Sequence, residues 1–374
     1  MKRILPVLAL TLFAVACGSS SEKKTAATNP DGTPANPDGT PTDPNTTPGA
    51  PTDQTGGGDA ALAGINPIEG IGDVTATMEP GQWSDGPTWS VQGKALYFTT
   101  PLAGDGGGLY RMLPDGRTIK IRGGTQADGT TPIGTTVNPT TGEIISADYK
   151  RITKTTFEAV LNAESAVITS NYDPASSPQQ TDPYAPPPPP AGDGTFDTLN
   201  DVVARKDGTI YATDPGYQVA GGPAVNRIFR VDTTGHTTIV DAFEDIPHPN
   251  GIALSPDEKI LYVGFTSPTQ GTVPYVRKYA VNDDGTIGGY TKFIDLGADS
   301  APDGLAVDAA GNVYVASVAG VEVYKPSGEK WGVIPVPELA TGMTFGGDDG
   351  KTLYITTQGT HIFQITTKVQ GIAQ

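Results

Sequence analysis

Past Ile65 the chain alternates apolar and polar residues in short runs, and each run is cut by a turn rich in Gly, Asp or Asn. A period of two read this way predicts strands rather than helices. Six stretches lie over one another: "DGPTWSVQGKALYFT" (85–99), "IGTTVNPTTGEIISA" (133–147), "NDVVARKDGTIYAT" (200–213), "NGIALSPDEKILYVG" (250–264), "DGLAVDAAGNVYVA" (303–316) and "TGMTFGGDDGKTLYIT" (341–356). Each opens on a turn residue, runs into a strand, turns on Gly or Asp, and rises into a second strand. Five carry Tyr at one place in that second strand (Tyr97, Tyr211, Tyr262, Tyr314, Tyr354), with Ile145 in the sixth. These side chains are expected to pack between repeats. A further hairpin follows most stretches, as in "RIFRVDTTGHTTIV". Repeats of this length with four short strands predict an all-β, six-bladed β-propeller. The stretch "GDVTATMEPGQW" (72–83) is placed to add an outer strand to the last blade and close the ring.

The pattern is absent from the first part of the chain. "MKRILPVLALTLFAVAC" has a basic start and an apolar run from Ile4 to Ala16, too short to span a bilayer and shaped like a signal peptide. Cys17, the only cysteine, falls at the cut. "AVAC" resembles a bacterial lipobox, although Ala14 stands where Leu is more usual, and "AVA" also suits ordinary secretion. The expectation is a signal peptide over 1–16 and a lipidated Cys17. Residues 17–64 form a degenerate Asn-Pro-Asp-Gly-Thr-Pro tether, too poor in apolar residues to fold. The propeller occupies 65–374. Gly18 after Cys17 favours the outer membrane of a bacterial envelope.

Composition changes this picture in two ways. The high Gly (48) and Pro (34) counts fit many turns plus the tether. A net charge of −17 without a basic patch argues against nucleic acid and suits a cation-binding protein. With no second cysteine, disulfides and thiolate metal sites are excluded.

Equivalent residues of the repeats lie on a ring about the propeller axis. Its first position reads Asp85, Ile133, Asn200, Asn250, Asp303, Thr341. Asn and Asp suit a turn before a strand for backbone reasons alone; four of them at one register favour a metal site. Hard oxygen donors without His or Cys point to Ca²⁺, or another divalent cation of that kind.

At these residues the chain resembles the senescence-marker-protein/gluconolactonase/regucalcin-like family. "DGPTW", "LNDVVARKDGTIYATDPGY", "HPNGIALSPDEKILYVG", "PDGLAVDAAGNVYVA" and "VIPVPELATGMTFGGDDGKTLYIT" carry the resemblance over roughly 80–370. It implies a propeller that holds a divalent cation, usually Ca²⁺, in its central channel and hydrolyses lactones or esters. It implies metal-ligand positions at Asn200, Asn250 and Asp303, and at Asp85 where the family usually has Glu. It also implies a general-base role for Asp303.

The second blade, "IISADYKRITKTT", follows the family's arginine-bearing substrate segment only loosely, and Arg151 is the candidate remnant. His248, close before Asn250, is a second candidate for substrate contact, although a solvent-exposed turn residue is the expectation there. His236 and His361 read as structural. An insertion, 171–199, separates blades two and three, with a polyproline run at Pro186–Pro190; it reads either as a lid or specificity loop or as a disordered excursion. There is no Gly-x-Ser-x-Gly elbow. The chain is thus expected to be an envelope-anchored, monomeric hydrolase of a small lactone or ester. A non-catalytic tethered propeller with a structural Ca²⁺ is the alternative.

Overall fold

The computed structural model describes residues 56–101, 107–113, 115–158, 165–176, 192–216, 225–243, 247–267, 273–297 and 300–372. The signal segment, Cys17 and most of the expected tether lie outside these residues, as does the Pro186–Pro190 run.

Six four-stranded antiparallel sheets form the blades. Blade I holds β2 (Asp85–Ser90), β3 (Ala95–Thr99), β4 (Gly108–Met112) and β5 (Thr118–Gly123). Blade II holds β6 (Pro132–Val137), β7 (Ile144–Asp148), β8 (Arg151–Thr155) and β9 (Ala166–Thr169). Blade III holds β10 (Val202–Ala204), β11 (Ile210–Asp214), β12 (Asn226–Val231) and β13 (Thr237–Phe243). Blade IV holds β14 (His248–Leu254), β15 (Ile260–Thr266), β16 (Tyr275–Val281) and β17 (Ile287–Asp295). Blade V holds β18 (Leu305–Val307), β19 (Val313–Ser317), β20 (Gly320–Tyr324) and β21 (Lys330–Ile334). Blade VI holds β22 (Ala340–Gly346), β23 (Thr352–Thr357) and β24 (Ile362–Thr366). Its fourth strand is β1 (Thr75–Met78), which pairs Thr75 with Gln364 and Met78 with Ile362. The ring is therefore closed by the segment that the sequence offered for it.

The apolar core is divided among the blade junctions. Ile145 and Ile152 of blade II pack with Val202 and Phe229 of blade III, and Tyr262 and Val276 of blade IV with Leu305 and Val315 of blade V. Similar clusters straddle the V–VI, III–IV, I–II and VI–I junctions. The repeated tyrosines belong to this packing. Tyr211 is fully buried and its hydroxyl donates to Gly285 O of the next blade at 2.6 Å; Tyr97 likewise bonds Phe157 O. Second strands such as β3 and β11 are consequently buried along their whole length, on both faces.

The described ends of the insertion are fixed to blade III. Asn171 bridges to Thr195, and Asp173 bridges in parallel to Thr238. Tyr172, Phe196 and Phe229 form an aromatic cluster, with the Arg227 guanidinium over the Tyr172 ring and 3.1 Å from Asp197. Asp214, deep in the blade, accepts the Asp197 and Thr198 amides at 2.9 and 2.6 Å. These bonds lead directly into Asn200 and hold the start of the third inner strand.

Candidate active site and cation ring

Inner strands β2, β6, β10, β14, β18 and β22 all start at the same end of the central channel. The ring residues stand on or just ahead of these starts, which brings Asp85, Asn200, Asn250 and Asp303 together to line one cavity. The turns approach so closely that five of the next residues are glycine: Gly86, Gly134, Gly251, Gly304 and Gly342. A Cβ on Gly251 would lie 2.2 Å from Asp303 O, and one on Gly86 2.0 Å from Ile133 O. Backbone bonds tie neighbouring turns at this spacing. Gly134 N donates to Asn200 O (2.8 Å), Gly251 N to Asp303 O (3.1 Å) and Gly304 N to Thr341 O (2.7 Å). At two other junctions a threonine hydroxyl makes the link, Thr99 to Ile133 O (2.6 Å) and Thr213 to Asn250 O (2.7 Å).

The sixth glycine position holds Asp201, which the sequence reading missed. Its carboxylate accepts Val202 N at 2.8 Å and Ile252 N at 3.1 Å. The signal was present in the six-repeat overlay, where the second position reads Gly, Gly, Asp, Gly, Gly, Gly.

Three carboxylates thus crowd one end of the channel. Burial pushes Asp85 up to about 7, against the Gly86 amide and with help from the Asp201 charge. Burial likewise pushes Asp201 to about 7, against the Val202 and Ile252 amides. Asp303 is driven well above the carboxylate range by burial and by the charges of Asp85 and Asp201, while a hydrogen bond with the Asn250 side chain pulls the other way. Like charges this close, in a low dielectric, favour either proton uptake or a cation. Among the described residues no group of three or more His, Cys, Asp or Glu side chains is arranged to hold a metal ion, so a cation here would need the amide oxygens too. Asp85, Asp303, Asn200 and Asn250 offer that mixed set of hard oxygens, and the residues fit a Ca²⁺-like ion.

The other expected site residues fall elsewhere. Arg151 pairs with buried Asp148 (3.0 Å), which also takes Arg122 (2.6 Å); neither arginine lines the channel. His248 is not an exposed turn residue: β14 begins with it, it is buried, and Nδ1 lies 2.7 Å from Asn226 Oδ1. The first inward-facing residues of a long inner strand are covered by the neighbouring blade, which the turn-based expectation left out. His361 meets Glu338 at 2.7 Å, in keeping with a structural role.

The channel cavity measures ≈ 110 Å³, less than the ~150 Å³ cavity that accepts benzene.

Fold and site define a six-bladed propeller with an axial ring of carboxylates and carboxamides. A model of the SMP-30/Gluconolactonase/LRE-like region matches residues 83–359, and the chain belongs to that family. A gluconolactonase of Zymomonas mobilis is 27% identical over 335 residues, covering 84% of this chain and 85% of that protein. A pentonolactonase of Haloferax volcanii is 34% identical over 166 residues, 43% of this chain and 53% of that protein. Among solved structures, a Xanthomonas campestris gluconolactonase superposes with a TM-score of 0.64 at 23% identity, over 86% of this chain and 98% of that one. A calcium-binding regucalcin of Agrobacterium tumefaciens gives 0.59 at 18% identity, over 80% and 95%. At these identities the structural likeness is one of fold.

Proposed function

We propose that the protein is a Ca²⁺-dependent hydrolase of small lactones, tethered to the bacterial envelope through a lipid on Cys17. Its family and its gluconolactonase and lactonase relatives make it a lactonase-type hydrolase. The observation that carries the finer reading is the convergence of two carboxylates and two carboxamides on one cavity, with no ion pair to Asp85 or Asp303 among the described residues.

Asp85, Asn200, Asn250 and Asp303 would hold the cation, which when bound supplies Lewis-acid polarisation of the substrate carbonyl. Asp303 receives the proton of the attacking water. The water oxygen bonds to the acyl carbon, the ring C–O bond breaks, and the leaving alkoxide takes up the proton, giving the open hydroxy acid. Asn250, bonded to Asp303, keeps that carboxylate oriented. Asp303 lines the cavity that would receive the carbonyl.

The test is pH-stat hydrolysis of glucono-δ-lactone by the full chain, chelated and then reloaded. Loss of turnover on chelation with recovery on adding Ca²⁺ is expected; an undiminished rate in chelated protein removes the cation from the account. If a panel of γ- and δ-lactones goes untouched by the Ca²⁺-loaded protein, the hydrolase reading fails. Anchoring has its own test: Cys17→Ala should move the protein from the membrane fraction to the soluble one.

A further inference from the structure

We propose that Asp201 is a positioning residue that sets the separation of Asn200 and Asn250 and so tunes the ring for a divalent cation. The inference rests on the cation reading above and deepens it.

Five of six blades carry glycine here because the next turn leaves no room for a side chain. Blade III breaks the rule, and three features of its surroundings accommodate the exception. First, Gly134 on the preceding blade leaves space: a Cβ there would lie 2.5 Å from Asp201 Oδ1. Second, the junction with blade IV lacks the direct amide-to-carbonyl bond. Asp201 N instead donates to the Thr213 hydroxyl (3.1 Å), which donates to Asn250 O (2.7 Å). Here the hydroxyl stands between the two turns, bonded to both. Third, the Asp201 carboxylate spans the same junction, taking Val202 N on its own blade and Ile252 N on the next.

The two carboxamides of the ring, Asn200 and Asn250, are the residues on either side of this junction. Each is next in sequence, or next but one, to an amide or carbonyl that Asp201 or Thr213 fixes. Each Asp201 oxygen accepts a backbone N–H, one from each side of the junction, so the residue braces it. Ca²⁺ takes oxygens at 2.3–2.6 Å in adaptable geometry, whereas Mg²⁺ demands about 2.0–2.1 Å and an octahedron. A brace that fixes amide spacing therefore acts on the choice between these ions, beyond its effect on affinity.

The experiment is calorimetric titration of Ca²⁺ and of Mg²⁺ into wild type, Asp201→Asn, Asp201→Gly and Thr213→Val, each checked for cooperative unfolding without cation. Outer-shell partners of metal ligands are typically worth about 10–100-fold in affinity. Asp201→Gly is expected near the upper end of that range for Ca²⁺, and Asp201→Asn and Thr213→Val near the lower. The Ca²⁺/Mg²⁺ preference should narrow in all three. A purely structural brace would lower unfolding temperature and leave that preference where it was. Wild-type affinity and wild-type ion preference in a folded Asp201→Gly or Asp201→Asn would overturn the proposal and leave the cation site standing. Absence of binding in wild type would remove both.

Discussion

The two ends of the central channel are built from the same six inner strands and are treated in opposite ways. At the ring end, Asp85, Asp201 and Asp303 crowd together with no ion pair among the described residues. Several basic side chains toward that face are engaged elsewhere: Arg122 and Arg151 with Asp148, Arg227 with Asp197, Arg277 with Asp241, Lys292 with Asp295, and Lys150 with Phe196 O. At the far end, acids and bases are interleaved and paired, as in Arg205 with Asp207 (2.9 Å) and Glu258 (3.5 Å). The chain's own segments also pack over that end. Asp59 N bonds Ala309 O (2.7 Å), Gly371 N bonds Gly350 O (2.9 Å), and Ile372 lines the channel floor. One end spends stability on un-neutralised charge and the other recovers it by pairing and packing. Natural folds break local rules in this way at functional sites.

The comparison can be broken first at the ring. Asp303→Asn keeps the size and loses the proton acceptor, so turnover should fall by about 10²–10⁴-fold in a folded protein; lactone hydrolysis at saturating Ca²⁺ checks it.

Next is the pH dependence of the cation-free protein. Asp85 and Asp201 sit at about 7 folded, against 3.8 ordinarily. Protons then bind more tightly to the folded state, so their contribution is fully present below about pH 4 and is lost as pH rises through 7. Chelated protein should melt several degrees lower at pH 8 than at pH 5, and saturating Ca²⁺ should flatten or reverse that slope. A scanning calorimeter reads both; a flat chelated profile would mean that burial does not raise the affinity of Asp85 and Asp201 for protons.

At the far end, deleting residues 371–374 removes Ile372 and the Gly371 bond. It should lower the melting temperature by about 2–4 °C with Ca²⁺ affinity unchanged. A fall in affinity would show that the two ends are coupled.

The smallest effect belongs to Glu338 and His361 in blade VI. Burial raises Glu338, but the Thr357 hydroxyl and His361 outweigh it and hold it at about 2. The Glu338 bond raises His361. The first contribution is lost as pH falls from 4.5 toward 2, and the second as pH rises above 6.5, so the pair acts mainly between these limits. Glu338→Gln should lower the melting temperature slightly at pH 6 and less at pH 9, as thermal melts at the two pH values will show.

The propeller was legible because its repeats are. Six overlaid stretches, the Tyr register and a spare strand at 72–83 specify blade number and closure, since period-two patterning reports directly on strands. The four ring residues were legible for the same reason: a fixed register places them on one circle. Asp201 lies in the next column of that overlay, the one departure from glycine. Its meaning depends on how near the blades come, a distance that only the folded chain holds. His248 was misjudged because a hairpin reading treats each blade alone, whereas its burial comes from the neighbouring blade. Arg151 had a partner, Asp148, close by in sequence, yet the second arginine on that carboxylate, Arg122, comes from another blade.

The central claim is that the ring of oxygens binds a divalent cation. Calorimetric titration of Ca²⁺ into the full chain, beside Asp303→Ala, tests it most directly. The account predicts a single-site isotherm for the wild type that is lost in the variant, with both proteins folded. Equal heats in the two, or none in either, would contradict it and leave the Asn and Asp residues of the ring as turn formers.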